Sequence, residues 1–147
     1  MYVSPVKSLA LAAVERALLD KAGIAGDRAF HLIDEQGRLF TQRECPAFVR
    51  VGQAYDLAGG VLRMTFPDGG FVEGVPEPGE PIETRFWGRP VQGRVMHGGF
   101  SESLSAVAGQ PLRLVRPDSR GDAFDGYPIS LCSMESEIGR ASCRERV

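Results

Sequence analysis

Apolar and polar positions alternate every second residue along much of the chain, the signature of half-buried strands. Val61–Phe66 is the clearest case: Val61, Arg63 and Thr65 fall on one face, Leu62, Met64 and Phe66 on the other. Pro67–Gly70 then turns the chain into Phe71–Glu73, and its Asp68-Gly69 pair supplies the positive φ angles of a tight hairpin. Arg28–Asp34 is apolar and β-prone, Glu35–Arg38 can turn, and Leu39–Gln42 returns, which predicts a second hairpin. Phe48–Leu57 is β-rich and ends at Gly59-Gly60; Ile82–Phe86 and Pro90–Met96 predict two strands around Trp87-Gly88. Gly74–Pro81 reads as a loop, because its prolines lack the amides a central strand needs. Phe100–Ala108 breaks the rhythm: Leu104, Val107 and Ala108 fall at helical spacing, Ser101 or Ser103 can cap the start, and Gly109 ends it. Leu112–Arg116 is a further strand, and Tyr127–Ser136 reads as a buried strand entering a helix. Ser8–Ala22 is ambiguous. Its Leu, Ala, Glu and Arg favour a helix, but Val14–Asp20 also alternates as a strand would. The sum is a mainly β protein with a minor helical part, a barrel or a sandwich.

Composition narrows the class without naming a reaction. The 147 residues are 43% hydrophobic and 24% charged, a globular balance. The net charge of −2 leaves no basic field to recruit nucleic acid or an anionic membrane. No apolar run approaches the ~20 residues of a membrane-spanning helix and no signal peptide opens the chain, so a cytoplasmic protein is expected. Three irregularly spaced cysteines, Cys45, Cys132 and Cys143, do not suggest a disulfide framework.

His31, His97 and two distant cysteines lack the close pairing of a zinc site, and Cys45 reads as a small half-buried residue. Phosphate loops and dinucleotide fingerprints are absent. Two spots carry more chemistry. Pro5-Val6-Lys7-Ser8 sets a cation and a hydroxyl beside a rigid residue, suited to holding an anionic group. Gly26-Asp27-Arg28 puts an arginine just after a glycine turn, where the aspartate can orient it toward a phosphate. The alternatives are a solvated lysine and a local surface ion pair.

Read together, several segments resemble the start of a MOSC-family protein, the molybdenum-cofactor-sulfurase C-terminal group, and more closely bacterial relatives of the mitochondrial amidoxime-reducing component. The landmarks are Tyr2–Ser8, Gly23–Arg28, Leu32–Asp34, Gly37–Glu44 with Pro46, Arg113–Arg116 and Tyr127–Ser133. Ser4 stands where the family usually has Tyr, and Phe30 where Trp is common.

The resemblance implies a small N-terminal β-barrel domain over residues 1–97. A connecting helix and the truncated first elements of a second β-barrel, the MOSC domain, would follow over 98–136. It also implies strand within Ser8–Ala22. The implied cofactor is molybdopterin-bound molybdenum, whose phosphate Lys7, Ser8 and Arg28 would hold from the first domain and Ser133 from the second. Arg43 matches the motif too, as a further contact or a brace for the barrel. The family's molybdenum-ligating cysteine lies in a later portion that this chain lacks, so no residue here is assigned as metal ligand or catalyst. The parent enzyme would reduce N-hydroxylated or related N-oxygenated small molecules with electrons from an external flavin or iron–sulfur partner. Other readings are a non-catalytic sulfur- or cofactor-carrier module, as in sulfurases with a separate pyridoxal-phosphate domain, and a β-domain for protein interaction alone.

Residues 137–147 are expected not to be native. Written back into codons, Glu137–Val147 matches a common short-read sequencing adapter followed by a stop. The alternative is a native basic tail. Without it, 14 Lys+Arg face 17 Asp+Glu and two cysteines remain.

Overall fold

The computed structural model describes residues 1–129 and 131. Its strands are β1 (Tyr2–Val3), β2 (Ala12–Ala13), β3 (Leu19–Asp20), β4 (Gly23–Ile24), β5 (His31–Ile33), β6 (Leu39–Phe40), β7 (Gly52–Asp56), β8 (Val61–Thr65), β9 (Phe71–Gly74), β10 (Glu77–Phe86), β11 (Arg89–His97) and β12 (Arg113–Pro117). One α-helix, α1 (Phe100–Ala108), and one 3-10 turn, Pro46–Arg50, complete them.

The largest sheet has the order β10-β11-β12-β5-β6, all antiparallel. It curls until its two edge strands nearly meet. Arg38, just before β6, bridges Arg85 of β10, whose amide donates to the Gly37 carbonyl at 3.0 Å. That single bridge stands where a closed barrel would have a ladder. The meander β7-β8-β9 packs beside it, and β1-β2 and β3-β4 are short pairs.

The core lies between the curled sheet, the meander and α1. Phe30, Leu32, Phe48, Leu62, Met64, Phe100, Leu104 and Leu114 all sit in one buried cluster. Leu62 and Met64 point in while Arg63 and Thr65 point out, as the alternation predicts. α1 and β12, grouped from the sequence with 98–136, belong to this same packing: Phe100 and Leu104 fill the core, and β12 pairs with both β11 and β5.

Several expectations need correction. Gly74–Pro81 is mostly strand, because β10 starts at Glu77. Its ladder is on β11 alone, with a register shift between Pro78 and Pro81, so the prolines sit on an edge where a missing amide costs nothing. The β-rich stretch from Phe48 becomes strand only at Gly52, because Pro46 opens a 3-10 turn that sinks Phe48 into the core. Within Ser8–Ala22 the helix does not form, and of the strand over Val14–Asp20 only Leu19–Asp20 pairs. Ala10 donates to Val51, Ala13 pairs with Tyr2 and Val14 donates to Met1, so backbone pairing overrides helix propensity. The serines of α1 do not cap it. Gly99 stands at the N-cap, while Ser101 and Ser105 hydroxyls accept the Leu114 and Leu112 amides at 3.0 and 2.8 Å and tie α1 to β12. Gly109 does end the helix, at φ 69°.

Tyr127 is 83% exposed and Tyr127–Ile129 pair with no strand among the described residues, so the buried strand expected from Tyr127 onward does not start there. Cys132, Ser133, the expected helix entry and 137–147 lie outside the described residues, as does Ser130. No helix among the described residues is long and apolar enough to cross a membrane.

His31 of β5 is fully buried against Phe86, with Nε2 3.2 Å from the Thr84 hydroxyl and Nδ1 without a partner among the described residues. Burial, helped by the charge of Lys7, lowers its pKa to about 3. Unfolded, the same imidazole titrates near 6.5. The unfolded chain therefore binds a proton that the folded chain refuses, and stability falls as pH drops from 6.5 toward 3. Between pH 7 and pH 5 this linkage removes about 2 kcal/mol. Urea unfolding at the two pH values should show that drop, and His31→Leu should lose most of it.

Candidate functional site

Two loops lying side by side build the site. The Phe30 amide donates to the Pro5 carbonyl at 2.9 Å, the Lys7 amide to Phe30 at 2.9 Å, and the Arg28 amide to Ser4 at 2.8 Å. This short parallel pairing sets Lys7 and Arg28 on neighbouring loops. Asp27 locks it: one buried carboxylate oxygen accepts the Ser4 amide at 2.7 Å and the other holds the Arg28 guanidinium. From the meander, the Gln53 side chain accepts the Val6 amide at 2.7 Å and donates to the Ala10 carbonyl at 2.8 Å, clamping the first loop from below.

Together these loops wall a cleft of about 650 Å3, lined by Lys7, Ser8, Arg28, Arg43, Trp87 and Asp125 among others. Three of these are, among the described residues, the non-glycine ones with left-handed backbone: Ser8 (φ 78°), Arg28 (φ 45°) and Trp87 (φ 50°). Such conformations cost about 1–3 kcal/mol each and gather where geometry serves a site. Trp87 owes its conformation to the β10–β11 turn, where Trp87 and Gly88 both take positive φ. Ser8 and Arg28 have no such hairpin.

The charges are arranged unevenly. Lys7 is only 7% exposed, its ammonium 5.3 Å from the Phe86 ring centre and 2.7 Å from Asp125 Oδ2. Burial holds it below the ordinary lysine pKa, although Asp125 pulls it back up. Burial pushes the Asp125 carboxyl up, but hydrogen bonds from Lys7 and Trp87 outweigh that and hold it below the usual aspartate value. Trp87 Nε1 donates to Asp125 Oδ1 at 2.6 Å. Arg43 is exposed and stacks over Trp87 at 5.0 Å, so it belongs to the rim of the cleft. Its turn is folded by Glu44, whose carboxylate accepts the Thr41 amide and hydroxyl at 2.7 and 2.8 Å. With Lys7, Arg28 and Arg43 against Asp27 and Asp125, these groups leave the site one net positive charge.

Four of the five residues singled out in the sequence, Lys7, Ser8, Arg28 and Arg43, thus share one cleft, and the fifth, Ser133, lies outside the described residues. Sequence reading missed Gln53, Trp87 and Asp125. A bulky tryptophan at a hairpin position that favours Asn or Gly was a usable signal for Trp87. Asp125 is 118 residues from Lys7 and left none. Among the described residues no group of His, Cys, Asp and Glu could hold a metal ion.

Residues 1–107 match the family described as MOSC N-terminal beta barrel domain. The chain belongs to this family. Among solved structures it resembles the solution structure of a protein of Bordetella bronchiseptica, a structural genomics target, with a TM-score of 0.51 and 14% identity over 67% of this chain and 78% of that one. At that identity the likeness concerns the fold alone. No curated protein sequence matches the chain. Lys7, Ser8, Arg28, Arg43 and Trp87 all lie inside the matched MOSC N-terminal region, whereas Asp125 reaches the cleft from beyond it.

Proposed function

We propose that this MOSC N-terminal domain grips the phosphate end of a molybdenum cofactor in a cytoplasmic oxidoreductase. Its parent reduces N-hydroxylated or related N-oxygenated compounds, drawing electrons from an external flavin or iron–sulfur partner. The supporting observation is the convergence of Lys7, Ser8, Arg28 and Arg43 on one cleft, with strained backbone at Ser8 and Arg28. The donor set fits a phosphate: Arg28 offers planar paired donors, Lys7 a partly desolvated point charge and Ser8 a hydroxyl. It does not fit the metal itself, since no metal-ligating cluster is present among the described residues. The cofactor, when bound, supplies the oxygen-atom and electron chemistry. Lys7 and Arg28 hold its anionic end, and Asp27 keeps the Arg28 guanidinium aimed. In this reading the residues after β12 lead into the MOSC domain, whose Ser133 adds a contact and whose later part carries the metal-ligating cysteine.

The test uses the product of the complete open reading frame. Lys7→Ala and Arg28→Ala should each lower molybdenum per polypeptide by about tenfold or more, the equivalent of one charge-assisted hydrogen bond. Circular dichroism should stay unchanged, and amidoxime reduction with a chemical electron donor should fall in proportion. Variants that retain wild-type molybdenum would refute the reading.

A further inference from the structure

The ammonium that should meet a phosphate already has an anion. Lys7 Nζ and Trp87 Nε1 converge on the two oxygens of one carboxylate, Asp125, at 2.7 and 2.6 Å. The lysine side chain is 8% exposed and the aspartate 61%, so the cation is sunk in the wall and the carboxylate lies on its open side. An anion entering the cleft toward Lys7 meets the Asp125 carboxylate first. The loop that carries Asp125 is built to hold that position without packing it away. Arg89 donates to the carbonyls of Asp122 and Phe124 at 2.8 and 2.6 Å, and the loop lies in turns rather than in a strand. Gly121 and Gly126 flank it, the former at φ 94°.

We infer that Lys7 and Trp87 form one anion-binding pair, which Asp125 fills in the free chain and a phosphate monoester takes over on binding. The inference rests on the proposed phosphate-holding role of the cleft and adds two members to it. Trp87 becomes a direct ligand contact, and Asp125 an internal occupant that must leave. A phosphate can replace the carboxylate because its oxygens accept both the ammonium and the indole N–H. A neutral ligand cannot, because it would leave Lys7 unpaired in the wall.

The displacement has its own reporter, since Trp87 is the chain's single tryptophan. Inorganic phosphate is titrated into the 147-residue chain while Trp87 emission is followed. Wild type should show a saturable shift. Asp125→Asn should bind phosphate about tenfold more tightly or better, because no carboxylate competes for the charge-assisted bond. Its emission before phosphate is added should already differ from that of wild type. Asp122→Asn removes the same charge from the same loop without touching Lys7, and should change affinity far less. Binding by Asp125→Asn that equals or falls below wild type would overturn the inference while leaving the phosphate site standing. An equal gain in Asp122→Asn would overturn it too, as a mere charge effect. Failure of all three proteins to bind would sink the phosphate reading of the cleft along with it.

Discussion

Phe30→Ala should destabilise the chain by about 3–5 kcal/mol, the usual cost of emptying a buried aromatic site. Phe30 has no exposed surface, meets Tyr55 edge-on with ring centres 5.4 Å apart, and belongs to the main cluster with Leu32, Leu62 and Leu114. The backbone on both sides of it is committed: its amide donates to Pro5 and its carbonyl accepts from Lys7. Those bonds prevent the strand from sliding inward to fill the void, which places the cost toward the upper end. Urea unfolding monitored by far-ultraviolet circular dichroism measures it. A loss below about 1 kcal/mol would mean that the core collapses around the gap, contrary to this packing. Because the Phe30 backbone pairs with Pro5 and Lys7, the variant should bind phosphate more weakly even where it remains folded.

Asp27→Ala should also be strongly destabilising, by a different route. The substitution leaves the Ser4 amide without an acceptor and the Arg28 guanidinium without its carboxylate. An unpaired buried donor costs about 1–3 kcal/mol and a broken buried ion pair about 3–5 kcal/mol. Arg28 is partly exposed and water recovers some of its loss, so a total of about 3 kcal/mol is expected. Asp27→Asn keeps an acceptor for the Ser4 amide and should recover part of the stability but not the aim of Arg28. Chemical denaturation of both variants, paired with phosphate titration, separates the two effects. Equal stability of Asp27→Ala and wild type would rule out a locking role for Asp27.

The strands most legible in the sequence are those whose environment is decided locally. β8 alternates because one face meets the core and the other water, and its hairpin to β9 follows from Asp68-Gly69. The helix α1 can be read from its apolar spacing and Gly109, but its serines mislead, because a hydroxyl that caps one helix can equally tie it to a neighbouring strand. The first half of β10 is hidden by its prolines, whose meaning depends on whether the strand is central or at an edge. In Ser8–Ala22 the strand reading holds at Leu19–Asp20, which pairs with the nearby β4, while the rest of the segment takes its backbone partners Met1, Tyr2 and Val51 from other segments.

The site divides along the same line. Lys7, Ser8 and Arg28 carry their chemistry within short motifs, so residue type and spacing were enough to single them out, whereas Arg43 came only with the family resemblance. The amino-acid sequence by itself determined a mainly β chain of the MOSC kind with cationic and hydroxyl groups suited to an anion. Only the tertiary structure decided that those groups share one cleft, that Gln53 and Asp27 brace it, and that Trp87 and Asp125 complete it. The physical reason is range. Periodicity and turn chemistry act over a few residues, whereas the desolvation of Lys7 and its pairing with Asp125, 118 residues away, exist only once the sheet has curled.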